Sequence, residues 1–100
     1  MNGAMGERVI EAMLRLKGFR ILGRHVTART TQGIRYIDYV VEKGGEYIAV
    51  EVKTGNGIRS TEQLAKDYAM QTEGAKLTNN VSPEIEGKTL KLATEEMRPF

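Results

Sequence analysis

The feature that most constrains this chain is a pair of runs rich in β-branched residues and tyrosine, residues 34–42 and 46–53, separated by Lys43-Gly44-Gly45. Val, Ile and Tyr suit a pleated, half-buried surface, and a Gly-Gly pair supplies the positive φ angles of a tight hairpin turn. The runs therefore predict a β-hairpin. With Gly44 and Gly45 as the central turn residues, Asp38 comes directly opposite Glu51. Alternation then places Tyr36, Asp38, Val40 and Glu42 on one face with Tyr47, Ala49, Glu51 and Lys53. Ile37, Tyr39, Val41, Ile48, Val50 and Val52 fall on the other, a nearly all-apolar face that must be packed, most simply beneath a helix.

The rest of the chain can be arranged around that hairpin. Met5, Val9, Ala12, Met13 and Leu16 recur at spacings of three and four before Gly18, which predicts an amphipathic helix over residues 4–17. Residues 19–26 carry Phe19, Ile21 and Leu22 among basic residues and are interrupted by Gly23, so they read as a short, edge-like strand. Ser60 and Gln63 form a capping-box pattern ahead of a second helix over residues 61–72, with a narrow apolar stripe of Leu64 and Tyr68, joined by Ala65 and Ala69, and a stop at Gly74. Residues 76–87 contain Asn79-Asn80 and Ser82-Pro83 and read as a loop, 89–93 as a late strand, and 94–100 as a partly disordered tail. The expectation is a single α/β domain over residues 1–100, a small mixed β-sheet flanked by helices in the order α-β-β-β-α-β.

Composition narrows the chemistry. A chain of 100 residues builds one modest core, so any site lies at its surface. The absence of cysteine removes disulfides and thiolate metal sites, leaving oxygen ligands or His25, a set that favours a hard divalent cation. No stretch approaches the roughly 20 apolar residues of a membrane-spanning helix, and the start lacks a signal-peptide pattern, so a cytoplasmic location with no membrane partner is the expectation. The net charge of +2 is small. Arg20, Arg24, His25, Arg29 and Arg35 nevertheless concentrate basic charge before the hairpin, as a track for phosphates or as a solvated segment.

Two carboxylates directly opposed in a hairpin repel unless a positive charge lies between them, and a divalent metal meets that need. Magnesium is commonly held by one or two carboxylates together with water and phosphate oxygens. Lys53, on the same face as Glu51, would stabilise developing negative charge. The competing reading is an ion-pair ladder on an open sheet face. Tyr36 and Tyr47 on that face would stack on a base or simply cover the sheet. Gly55-Asn56-Gly57 lacks the lysine and length of a phosphate-binding loop and reads as a flexible turn.

Asp38 followed, across the hairpin, by Glu51-Val52-Lys53 resembles the PD-(D/E)XK nuclease superfamily, whose restriction endonuclease-like core runs helix, three strands, helix, strand. Ile37 stands where the motif's proline would be. Gly6-Glu7-Arg8 and Lys17-Gly18-Phe19 are similar to the first helix of archaeal Holliday junction resolvases, which implies that Glu7 joins the metal site, with Glu11 as the substitute. Glu51-Val52-Lys53-Thr54-Gly55 also looks like the nuclease domains of bacterial contact-dependent growth inhibition toxins. Gln63 resembles the glutamine that supports the active site in RecB-like members, and its other role is the helix cap.

These resemblances imply a metal-dependent endonuclease hydrolysing phosphodiester bonds. Asp38, Glu51, the Val52 carbonyl and Glu7 would bind Mg²⁺ or Mn²⁺, ahead of Zn²⁺, and Glu7, Asp38, Glu51, Lys53 and Gln63 would form the catalytic set. The implied partner is DNA, or transfer RNA in a toxin delivered into a target cell's cytoplasm. An immunity protein would accompany a toxin and a homodimer would accompany a resolvase. The alternatives are a nucleic-acid-binding module that keeps the fold without catalysis, and a protein-interaction domain with an incidental acidic hairpin.

Overall fold

The computed structural model describes residues 3–100. It is an α/β domain with helices α1 (Gly3–Leu16) and α2 (Thr61–Thr72) and six strands: β1 (Arg20–Thr30), β2 (Gly33–Lys43), β3 (Glu46–Val52), β4 (Ala75–Thr78), β5 (Thr89–Leu90) and β6 (Ala93–Met97). The strands form one mixed sheet in the order β5-β4-β1-β2-β3-β6. All neighbours are antiparallel except β3 and β6, which run parallel. Helices on both faces and a mixed sheet agree with the expectation, whereas three strands follow α2 instead of one.

The hairpin forms in the expected register, with rungs from Lys43↔Glu46 to Tyr39↔Val50. Gly44 and Gly45 have φ of 60° and 85°, as a two-residue turn matching strand twist requires. Tyr39, Val41, Ile48 and Val50 pack with Ile10, Leu14 and Met97 in the cluster under α1. The opposite face is closed as well: Val40 and Ala49 join Val26, Ala28, Met70, Leu77, Ile85 and Leu92 in a second cluster on the α2 side. Ile37 belongs to this second cluster and not, as expected, with Tyr39. The alternation of β2 thus slips by one position at Asp38, as an irregularity in a strand does.

Five other expectations need correction. The buried positions of α1 are Gly6, Ile10 and Leu14, with Val9 and Met13 half-buried, while Met5 and Leu16 are exposed. Two overlapping stripes at three- and four-residue spacing exist in this helix, and the hydrophobic surface it meets selects between them. Similarly, α2 buries Asp67, Ala69 and Met70 and leaves Leu64 and Tyr68 exposed.

The strand expected to be a short edge is the 11-residue β1, flanked by β2 and β4. Its Gly23 marks a close approach, not an edge: a Cβ there would lie 2.6 Å from Val26 Cγ2 and 2.8 Å from the Asn80 carbonyl oxygen. The Asn80 approach comes from the segment read as a loop, whose first three residues belong to β4. Asn79 and Asn80, both at positive φ, turn the chain beyond β4, and Ile85 is buried. Finally, the expected disordered tail is β6, paired with β3 from Ile48↔Ala93 to Val52↔Met97. With Glu95 and Glu96 it has little strand propensity of its own, and charged residues of this kind are common on sheet edges.

Candidate active site

Asp38 and Glu51 lie where the central hairpin opens. The last β2–β3 rung is Tyr39↔Val50, and beyond it Glu51 pairs with Glu96 of β6. The expected rung between Asp38 and Glu51 is therefore absent among the described residues. Instead the Asp38 carboxylate reaches across the opening, where its Oδ2 accepts a hydrogen bond from the Val52 N–H at 2.8 Å. Asp38 forms no ion pair with any described residue, and it is only half-buried.

Glu51 is 8% exposed and held between two cations. Its Oε2 lies 3.2 Å from Arg35 Nη2 and its Oε1 lies 3.5 Å from Lys53 Nζ. Burial, and then the negative charge of Asp38, push its pKa above the usual carboxylate value, against the opposing pull of Arg35 and Lys53. The two carboxylates do not form the expected ladder rung.

The cations are fixed by a network that reaches the C-terminal strand. Arg35, only 6% exposed, donates from Nε to Asp67 Oδ1 at 2.8 Å and from Nη1 to the Tyr36 carbonyl at 3.1 Å. Asp67, 4% exposed, also pairs with Arg59 at 2.9 Å, and Arg59 pairs with Glu96 at 2.9 Å. Arg98 donates to the carbonyls of Gly55 and Gly57, which ties β6 to the loop after Lys53. Arg35, Glu51 and Asp67 line one recess together with Met70 and Thr94.

The remaining sequence candidates lie elsewhere. Glu7 is on α1 with Oε1 at 3.1 Å from His25 Nε2. His25 and Asp38 sit between the same two β1–β2 rungs, Arg24↔Tyr39 and Val26↔Ile37, so Glu7, held by His25, lies toward the Asp38 end of the sheet. Glu11 is engaged by Arg24 and by the Tyr39 hydroxyl. Gln63 completes the capping box: its N–H bonds Ser60 Oγ at 3.1 Å and its Oε1 accepts from the Ser60 N–H at 2.9 Å. Its side chain serves the helix terminus. Among the described residues, no group of three or more His, Asp and Glu is disposed to hold a metal ion.

Of the basic residues read as a phosphate track or a solvated segment, Arg35 is buried, while Arg20 pairs with Glu42 and Glu84, and Arg24 with Glu11. Arg59, just before α2, and Asp67, within it, stand eight residues apart, a spacing that brings two positions to one side of a helix and was the available signal for their meeting. Nothing in the local sequence singled out Glu96 or Arg35 as their partners. Compared with known proteins, the chain matches no family model, no curated protein and no solved structure.

Proposed function

We propose that this domain is a metal-dependent nuclease of the PD-(D/E)XK type, hydrolysing phosphodiester bonds at the opening between β2 and β3. The observation that carries this reading is the convergence there of Asp38, Glu51 and Lys53, with Glu51 electrostatically burdened by Asp38. The three-stranded meander β1–β3, followed by α2 and, after β4 and β5, by β6 parallel to β3, supports it.

The residues fit a divalent ion in part. Asp38 has no cation partner among the described residues, and its repulsion of Glu51 is what an added positive charge would relieve. Asp38, Glu51 and the Val52 carbonyl are the donors in this proposal, and Glu7 is not among them while it pairs with His25. The ion, when bound, would polarise a phosphoryl oxygen and lower the pKa of bound water. The protein's own groups do the rest. Arg35 and Asp67 hold the Glu51 carboxylate in place, and the Lys53 ammonium, 3.5 Å from that carboxylate, is placed to stabilise charge developing on the phosphate.

The test is incubation of the purified domain with plasmid DNA, a four-way junction and total transfer RNA in Mg²⁺, Mn²⁺ or EDTA, beside Asp38→Ala. Cleavage that requires the metal and Asp38 is expected on one of these substrates, and the substrate cleaved separates resolvase-like from toxin-like activity. Full activity of Asp38→Ala would refute the assignment.

A further inference from the structure

The α1 side of the sheet is only partly covered. The apolar cluster under α1 is built on β2, β3, β6 and Ile21 at the start of β1, and the hydrogen bonds from α1 to β1 reach Arg24 and His25. Further along β1, Val26 and Ala28 belong to the α2-side cluster, as do Ala75 and Leu77 of β4 and Ile37 of β2. Alternation therefore turns Thr27, Arg29, Lys76, Thr78, Ile34 and Tyr36 to the opposite, uncovered side. The rungs arrange them in two rows across three strands, Thr78–Thr27–Tyr36 and Lys76–Arg29–Ile34.

Two features of this face point to a ligand. Arg29 and Lys76 are directly opposite one another and exposed, and neither has a carboxylate partner among the described residues. Like charges on one rung weaken a strand pair, and here the cost has no internal compensation. Arg20, Arg24, Arg35, Arg59 and Arg98, by contrast, are all engaged by carboxylates. The second feature is Tyr36, 67% exposed on the β2 side of the face and two residues before Asp38. Exposed aromatic side chains beside uncompensated cations suit bases and phosphates of an unpaired strand.

We propose that the uncovered β4–β1–β2 face binds a single-stranded segment of nucleic acid, with Tyr36 stacking on a base and Arg29 and Lys76 contacting phosphates. This rests on the nuclease reading for its substrate but is measured without catalysis. Fluorescently labelled single-stranded DNA and RNA, and a duplex of the same sequence, are titrated with the domain in EDTA at several salt concentrations.

Wild type should bind a single strand more tightly than the duplex. Arg29→Gln/Lys76→Gln should lose about tenfold in affinity and flatten the slope of log affinity against log salt by roughly 1.4, as expected for two phosphate contacts on a single strand. Tyr36→Ala should lose about tenfold, and Tyr36→Phe should retain binding. The double variant should melt no lower than wild type, since it removes a like-charge rung. Unchanged affinity and slope in the double variant, tighter duplex binding, or no binding by wild type would each overturn the proposal. Weakened binding in the double variant of a protein that never cleaves would uphold this face and remove the nuclease reading; cleavage by wild type with unchanged binding in the double variant would do the reverse.

Discussion

The two faces of the β2–β3 hairpin are built from opposite materials. Under α1, Ile10, Leu14, Tyr39, Val41, Ile48, Val50 and Met97 form an apolar cluster. Under α2, apolar packing gives way toward the open end of the hairpin to the chain of charges Lys53–Glu51–Arg35–Asp67–Arg59–Glu96. Burial of apolar area stabilises the first face directly. On the second, each charge loses hydration and regains it only through its neighbours, so net stabilisation is small and sensitive to every member. Both sides bury apolar side chains, and only the α2 side adds a chain of buried charges to them.

The largest effect should come from the charged face and appear in rate alone. Asp38→Ala and Lys53→Ala should each lower metal-dependent cleavage by about 10³-fold or more with the circular dichroism spectrum unchanged. Retained cleavage would separate the charged face from the chemistry. The apolar face should respond in the opposite way. Leu14→Ala should cost about 2–5 kcal/mol by urea denaturation, while the fraction still folded cleaves at the wild-type rate. A large rate loss in the folded fraction would show that the α1 face also shapes the site.

A third test joins stability to function at Glu51. Its folded pKa is raised above the ordinary 4.5, so ionised Glu51 opposes folding at neutral pH. Stability from this group is therefore gained as pH falls from above the raised pKa toward 4.5. Glu51→Gln should melt higher than wild type at pH 7 without cleaving, and the difference should shrink as acid protonates Glu51 in wild type. Glu11 should act in the opposite sense. The hydrogen bond from Arg24 holds its pKa below 4.5, so its contribution is present at neutral pH and is lost as pH falls through that lowered pKa. Thermal melts of Glu51→Gln and Glu11→Gln from pH 7 to 3 measure both; a lower melting temperature of Glu51→Gln at pH 7 would contradict the sign.

The smallest effect belongs to Gln63. As half of a capping box, its replacement by alanine should cost about 0.5–1 kcal/mol. Loss of cleavage far beyond that destabilisation would return Gln63 to the active site.

Much of the hairpin was legible because it depends on local rules. The Gly44-Gly45 turn sets the pairing from Lys43↔Glu46 inward, and alternation carries it to Tyr39↔Val50. The bounds of α2 were equally legible, since Ser60 and Gln63 mark its start and Gly74 its end. Its orientation was not: Leu64 and Tyr68 formed the visible stripe, yet the helix buries Asp67 to reach Arg35 and Arg59. The strands β4 and β6 were hidden because they are short, carry few apolar residues, and exist through partners distant in sequence.

By itself, then, the sequence determined a Gly-Gly hairpin bearing Asp38, Glu51 and Lys53, two helices and a mixed α/β class, because turn geometry, capping and strand period act over a few residues. Only the tertiary structure decided that Asp38 leaves the ladder for the Val52 N–H, that Arg35 is buried against Glu51 and Asp67, and that Arg29 meets Lys76 across β1 and β4. Those contacts join β1, β2, β3, β4 and α2. Which charges meet is set by how the elements dock, a balance of desolvation and long-range pairing that no local pattern encodes.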